Sequence, residues 1–488
     1  MRCVAVDIGA GSGRLVLGSF RGDRLEVDEV HRFENRPRFE QGHLRWDAPR
    51  LLDEIRAGLV EACRMAEGPP DSVGVDTWGV DFALLDPGGD LLGLPVSYRD
   101  DRTEGMMEAF LQRVPASEVY EKTGIQFQRI NTLYQLCAMA RQEPGLLARA
   151  SRLLMMPDYF HYGLCGAMCT ELTDASTTQM IDLRTGDWDP GLLEAIPVRR
   201  SILLDPAPAG TPLGRLEGLP GLEGTLVVAP ATHDTASAVA AVPVPEDEEW
   251  AFISTGSWCL MGVELPEPVT TQEARLGNFT NEAGVGGTIR FLRNLTGLWL
   301  MQGLRDSLPG RPSHGELEQM AEIADPFGCL LDTSNPLFFS PRSMTKAIDQ
   351  FCKRTGQEAP STPGAYARCA LESIALSFAR TLDQLGKLGP KRVRRVHMVG
   401  GGCRSALLCG MASSAMGVPV TSGPVEATAV GNLLVQAMAL GLVPDLASAR
   451  RLVYSSFDMD HYEPRSDLPW AEARERYDEL CSIRESGL

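Results

Sequence analysis

The chain of 488 residues is short of positive charge, with 46 Lys and Arg against 64 Asp and Glu and a formal net charge of −18. A partner for nucleic acid or an anionic membrane surface needs a basic face, so both classes are excluded. Long apolar runs are missing too. No stretch reaches the roughly 18 uncharged apolar residues of a membrane-spanning helix. The apolar opening MRCVAVDIGAGSGRLVLGSF is broken by Asp7 and Arg14 where a secretion signal carries its hydrophobic core. A cytoplasmic location is expected. Cysteine is present without a pattern: 12 residues are scattered from Cys3 to Cys481, and reduced thiols are the expectation. His161, Cys165 and Cys169 share a helical spacing but lack a fourth ligand, which favours ordinary buried thiols over structural zinc. Cys352 and Cys369 could bridge only if the fold brings them together.

Two nucleotide-binding signatures are also absent. Gly9 and Gly11 are followed by Arg14 and not by a third glycine, which fails G-x-G-x-x-G. No G-x-x-x-x-G-K-[ST] exists, which excludes a P-loop. What is present is the composition of an ordinary globular protein, 44% hydrophobic and 23% charged. Strand-like runs such as SVGVDTWGVDFALLD and RRVHMVGG alternate with helix-period stretches such as APRLLDEIRAGLVEACRMA and AYARCALESIALSFARTLDQLGKLG. The fold class is therefore α/β. Pieces 205–224 and 308–314 carry no periodicity and read as surface loops.

Two hairpin-like segments stand out. The first twenty residues read as strand, Gly-Ala-Gly-Ser-Gly turn, strand, and residues 249–264 repeat the plan around Ser-Thr-Gly-Ser. Between them, VPVPEDEE shifts from proline-rich to acidic and marks a domain boundary near residue 245. Two domains, 1–245 and 246–488, are expected.

The first turn could hold phosphate through its backbone N–H groups and the Ser12 hydroxyl, with Arg14 as a cation. Asp7 decides its chemistry. A carboxylate ~4 Å from a phosphate repels it by roughly 4 kcal/mol at an effective dielectric of about 20, so the pair makes sense with a cation between, for which Mg²⁺ is the natural choice. A plain β-turn with Asp7 capping amides is the alternative. Thr255, Gly256 and Ser257 form a second small-residue cradle. His233, Asp234 and Thr235 follow the strand-like LVVAPA at a helix start, the usual address of catalytic groups in α/β folds, although Asp234 could serve as a helix cap. Val399-Gly-Gly-Gly-Cys-Arg-Ser405 suits close approach of a flat ligand such as adenine, or tight strand–helix packing. Polar residues in Asp76-Thr-Trp-Gly-Val-Asp81 beside an aromatic suit sugar hydroxyls, and Tyr98-Arg-Asp-Asp-Arg102 supplies a charged loop shortly after, for which solvated turn residues are the alternative. Asn294 and Gln302 share one helix face if 294–304 is helical.

Together, Asp-x-Gly-x-x-Ser-x-Arg at the start, His-Asp-Thr, the Ser/Thr-Gly-Ser/Thr hairpin and the late Gly-Gly-Gly resemble the FGGY carbohydrate kinases of the actin/hexokinase/Hsp70 superfamily. The blocks VDTWGVDFALLD, GLPVSYRDDRT, GIQFQRINTLYQL, HDTASAV, NLTGLWLMQ, VGGGC and GPVEATAVGN carry the resemblance along nearly the whole chain. It implies two RNase H-like domains around an interdomain cleft, with sugar on the first and adenine mainly on the second. Carried over by position, it places an ATP loop on Ala10, Gly11, Ser12, Gly13 and Arg14, with further ATP contacts at Ser257, Gln302 and Gly401. Gly79, His233, Asp234, Thr235 and Asn294 match sugar-binding positions, Asp234 the catalytic base, and Asp7 the acidic residue that organises Mg²⁺. Gly11 departs from the larger residue often found there, and Ser257 replaces a common threonine. The reaction implied is phosphorylation of the 1-hydroxyl of L-rhamnulose by ATP. The alternatives are another ketose such as L-fuculose or L-ribulose, or a catalytically silent sugar or nucleotide sensor. Monomer and homodimer are both open.

Overall fold

A computed structural model describes residues 1–485, apart from 197, 246–247, 257, 340 and 390–391. Strand β1 (Arg2–Ile8) turns at residues 9–11 into the antiparallel β2 (Ser12–Arg21), which pairs in turn with β3 (Arg24–Glu34). Cys3 to Val6 and Ile8 are fully buried, as a central strand with both faces covered requires. Helix α1 (Ala48–Met65) is capped by Asp47, whose side chain accepts from the Arg50 N–H. Its Leu51, Leu52, Ile55, Leu59 and Ala62 recur at helical spacing and pack into one core with Val4, Val6, Leu15 and Leu17. Each such aliphatic side chain stabilises the fold by about 1.5–3 kcal/mol when fully buried.

Strand β4 (Ser72–Thr77) lies parallel to β1 with Asp7 opposite Asp76. Helix α2 (Met156–Cys165) packs against it. The sheet ends with β5 (Thr211–Arg215) and β6 (Leu226–Ala229), in the order β5-β6-β4-β1-β2-β3. Residues 211–215 thus form an edge strand inside the piece expected to be a loop. Pro212 is tolerated at this edge, beside an irregularity in register at Pro212/Gly214. Helix α3 (Asp234–Ala240) follows β6.

A second unit repeats the plan. Strands β7 (Trp250–Thr255) and β8 (Trp258–Leu265) are antiparallel. They belong to a seven-stranded sheet that also contains β9 (Ile289–Thr296), β10 (Arg395–Gly400), β11 (Val420–Ser422) and β12 (Asp460–Tyr462), in the order β9-β8-β7-β10-β11-β12, with the short strand Thr280–Ala283 at the edge beyond β9. Strand β10 runs parallel to β7, with Gly400 opposite Thr255. Helix α4 (Trp299–Ser307), the long and largely buried α5 (Pro363–Leu388) and α6 (Ala406–Met416) complete the part that matters here. In both units one strand therefore carries an antiparallel hairpin partner on one edge and a parallel partner on the other.

The chain passes from the first compact unit to the second at Pro243–Val244 and returns twice. Residues 264–291 and 427–456, with α7 (Ala427–Ala439), belong to the first unit, which is otherwise 1–243. The first compact unit therefore also draws on residues beyond the expected boundary near 245. Helix α7 reaches the first sheet through polar groups: Asn432 Nδ2 donates to the Gly74 carbonyl at 3.1 Å, and Gln436 Nε2 to the Val4 carbonyl at 2.9 Å. Its Gly431 lies so close to α3 that a Cβ there would stand 1.7 Å from the Ser237 carbonyl oxygen. Only glycine permits that approach.

Candidate active site

In the first unit the turn between β1 and β2 is closed by its own backbone. The Gly9 N–H donates to the Ser12 carbonyl at 2.9 Å, and Asn35 pins the turn from outside, its Nδ2 donating to the Gly9 carbonyl at 2.8 Å. Gly13 is required by packing, since a Cβ would meet the Phe33 ring at 2.3 Å. Gly11 is different: a Cβ there would meet nothing within 4 Å. Ala10 is half-buried, and Gly11 and Ser12 are exposed. Arg14 lies opposite Asp7 in the ladder and grips its Oδ2 through Nε at 3.0 Å and Nη2 at 2.8 Å.

Asp76, which stands beside Asp7 on β4, is completely buried. Its Oδ2 accepts from Asn432 Nδ2 at 2.6 Å, while Oδ1 has no hydrogen-bond partner among the described residues. Burial, reinforced by the neighbouring Asp7 charge, pushes the Asp76 carboxyl well above the usual carboxylate range. The segment reading missed Asp76 as a partner of Asp7. The signal available was Asn432 and Gln436, two amides one helical turn apart on an apolar helix.

Asp234 opens α3, and the cap position belongs to His233, which makes no side-chain cap bond. The helix-cap role considered for Asp234 is therefore filled by its neighbour's backbone position. Asp234 Oδ1 accepts from Thr235 Oγ1 at 3.0 Å and faces His233 Nε2 at 3.5 Å. Its side chain is 31% exposed. Burial raises its carboxyl above the ordinary range, opposed by His233 and assisted by the Asp7 charge. Behind it, Glu171 Oε2 accepts from the Thr232 N–H at 3.0 Å and from the Thr232 hydroxyl at 2.6 Å, and the Thr173 hydroxyl receives the His233 N–H at 3.2 Å. The loop that carries His233, Asp234 and Thr235 is thus locked from below.

Gly79 packs on Thr177 and Asp174, where a Cβ would stand 3.0 Å and 3.3 Å from their side-chain oxygens. Asp81 is occupied structurally: it accepts from Trp46 Nε1 at 2.7 Å, Trp78 Nε1 at 2.9 Å, the Tyr98 N–H at 3.1 Å and Gln135 Nε2 at 2.9 Å. Nor is the Tyr98–Arg102 segment a solvated turn. Asp100 and Arg102 are buried, and Arg102 Nη2 donates to Gln135 Oε1 at 2.8 Å.

In the second unit, Ser257 lies outside the described residues. The Gly256 N–H donates to the Trp258 carbonyl at 2.9 Å. Thr255 Oγ1 donates to the Val399 carbonyl at 2.5 Å and accepts from the Gly402 N–H at 2.9 Å. The three glycines then divide. A Cβ at Gly400 would stand 2.5 Å from the Thr255 carbonyl oxygen and one at Gly402 would stand 2.8 Å from Thr255 Cβ, whereas Gly401 is exposed with nothing within 4 Å. Packing accounts for two of them, and the third faces open space. Asn294 and Gln302 do not share a helix: Asn294 is in β9, and Gln302 is in α4, its Nε2 bonded to Asp306 Oδ2 at 2.9 Å. Gly297, where a Cβ would hit the Cys259 amide nitrogen at 2.8 Å, separates the strand from the helix.

The cysteines are all free. His161 Nε2 accepts from the Val75 N–H at 3.0 Å, and burial lowers its pKa to about 3. It is a neutral core residue. Cys369 lies beside Cys329, at 2.8 Å between sulfurs. Among the described residues no three His, Cys, Asp or Glu side chains group as a metal site, and no helix is long and apolar enough to cross a membrane.

A mixed α/β chain built twice on the same strand plan, with paired carboxylates behind one glycine turn, has the architecture of the actin/hexokinase-like sugar kinases. Residues 2–241 match the N-terminal and residues 251–440 the C-terminal domain of the FGGY family of carbohydrate kinases. The chain belongs to this family. It is 41% identical over 473 residues to the rhamnulokinase of Bacteroides thetaiotaomicron, covering 96% of this chain and 97% of the relative. It is 38% identical over 465 residues to the rhamnulokinase of Bacillus subtilis, covering 94% and 95%. The fold is shared with the xylulose kinase of Lactobacillus acidophilus, at a TM-score of 0.82 and 16% identity over 99% of this chain and 98% of that one. The glycerol kinase of Plasmodium falciparum with ADP matches at 0.77 and 13% identity over 99% and 97%.

Proposed function

We propose that this chain transfers the γ-phosphoryl group of ATP to the 1-hydroxyl of L-rhamnulose, giving L-rhamnulose 1-phosphate and ADP. The substrate rests on the near-full-length similarity to rhamnulokinases. The chemistry rests on Asp234, a half-buried carboxylate at a helix start whose Oδ1 is held by Thr235 while the side chain stays open to solvent. Asp234 accepts the hydroxyl proton as the substrate oxygen forms its bond to phosphorus and the bond to the ADP oxygen breaks. His233, Thr235, Gly79 and Asn294 are assigned to the sugar. The backbone of residues 10–14, Gly401, Gln302 and Ser257 are assigned to ATP, so that domain 1–245 supplies the phosphate turn and the sugar groups other than Asn294, and domain 246–488 mainly the adenine side.

A magnesium ion fits beside Asp7 and Asp76, where one buried carboxylate oxygen lacks a donor. With no group of three His, Cys, Asp or Glu side chains there among the described residues, waters and phosphate oxygens would complete its shell. Bound there, Mg²⁺ supplies positive charge against the phosphates. Arg14 holds the Asp7 carboxylate in place. The reaction takes place in the cytoplasm on this reading.

Asp234→Asn tests the base. Asparagine occupies the same volume and cannot take the proton, so kcat should fall on the order of 10²–10⁴-fold with the unfolding midpoint near wild type. Turnover close to wild type would sink the assignment.

A further inference from the structure

Arg290 is the largest charged side chain buried out of water in the first unit, with no exposed surface at all. A guanidinium in that position needs partners for its donors. Nε donates to the Ala283 carbonyl at 3.1 Å, Nη1 stands 3.1 Å from Glu282 Oε2, and Nη2 is 3.1 Å from His233 Nδ1. Glu282 Oε2 is also 3.3 Å from His233 Nδ1 but makes no hydrogen bond among the described residues, so Arg290 Nη2 is the bonded partner of Nδ1. The other ring nitrogen, Nε2, faces Asp234 Oδ1. A buried ion pair, a histidine and the proposed base thus form a continuous line.

The chemistry of the groups sets the direction of that line. Arginine is a donor only, so at Nη2···Nδ1 the imidazole must accept. A neutral His233 that accepts at Nδ1 carries its proton on Nε2. That N–H is then turned to Asp234 Oδ1, the oxygen already held by the Thr235 hydroxyl, which leaves Oδ2 for the incoming proton.

We propose that Arg290, neutralised by Glu282, is a positioning residue that fixes the tautomer of His233 and, through it, the orientation of the Asp234 carboxylate for proton uptake. The proposal rests on Asp234 being the base. It does not place Arg290 or Glu282 against either substrate.

The test is a double-mutant cycle on the full chain, with kcat, both KM values and the unfolding midpoint measured for Arg290→Met, Arg290→Lys, Asp234→Asn and Asp234→Asn/Arg290→Met. Arg290→Met should lose kcat on the order of 10- to 100-fold, the range for removing a partner that orients a functional histidine, a larger factor than any rise in sugar KM through His233. Arg290→Lys should recover part of the rate, because an ammonium can still donate to Nδ1. The double variant should be within about twofold of Asp234→Asn alone, since a positioning residue has nothing left to act through. A merely structural role predicts losses that multiply, and that result overturns the proposal. If Arg290→Met does not fold, Glu282→Gln takes its place in the cycle under the same criteria, with a smaller loss of about 10-fold expected. An active Asp234→Asn overturns the base assignment itself. An inactive Asp234→Asn beside a folded Arg290→Met or Glu282→Gln of wild-type rate overturns only the relay.

Discussion

At the end of β1 the glycine turn leads into an ion pair, Asp7 with Arg14, and stands near a second, buried carboxylate, Asp76. At the end of β10, the parallel partner of β7, the second glycine turn offers backbone and the Thr255 hydroxyl. Both turns are built alike: each has glycines that a neighbouring group forces, Gly13 against Phe33 and Gly400 and Gly402 against Thr255. Each also has one that meets nothing, Gly11 and Gly401. The difference lies in what the packing supports. In the first unit it holds carboxylates away from water at a cost, a pattern typical of sites that do chemistry. In the second it fixes the backbone around Thr255.

The comparison can be broken most severely at the forced glycines. Gly402→Ala puts a Cβ 2.8 Å from Thr255 Cβ and should lower stability by about 1–3 kcal/mol through overpacking, read as a fall in the unfolding midpoint. An unchanged midpoint would mean that β7 and β10 can part freely and that packing does not set this turn.

A smaller and pH-dependent effect is expected behind the first site. Asp174 is fully buried and its Oδ2 has no hydrogen-bond partner among the described residues. Burial first, then the charges of Asp158 and Glu171, raise its carboxyl well above the ordinary range. The unfolded chain releases this proton at an ordinary carboxylate pH, while the folded chain holds it to higher pH. Between the two the folded state binds more protons, so stability falls as pH rises. Asp174→Asn should therefore unfold at a higher temperature than wild type at pH 8 and show no such advantage at pH 4. An advantage independent of pH would contradict the charge explanation.

The smallest structural effect should come from the open glycines. Gly11→Ala and Gly401→Ala should each change stability by no more than about 0.5 kcal/mol while raising the KM for ATP more than that for sugar. Equal changes in both KM values would remove these two positions from the nucleotide assignment.

Much of this was legible in the chain. The alternation of apolar strands and periodic helices gave the class, and the two hairpins gave the repeated plan, because glycine turns and β-prone runs are local signals. Glu282 and Arg290 were not legible as site groups, and Asp76 was legible only as part of a sugar-facing segment, not as a partner of Asp7. Their meaning depends on strand register and on segments that return to the first unit after an excursion of many residues, and neither leaves a local mark. Asn294 and Gln302 share a face only if 294–304 is helical throughout; Gly297 divides the segment, and β9 claims the first half. Asp81 looked like a sugar ligand because a polar residue stood beside a tryptophan. The same tryptophan turned out to be its hydrogen-bond donor.

The most direct measurement is product formation by the purified chain with Mg·ATP and a panel of L-rhamnulose, L-fuculose and L-ribulose, following ADP release and identifying the phosphorylated carbon by ³¹P NMR. The account predicts ADP release that requires sugar, the highest kcat/KM with L-rhamnulose, and phosphate on its first carbon. A higher kcat/KM with either of the other ketoses, or ADP release that does not depend on sugar, would contradict it.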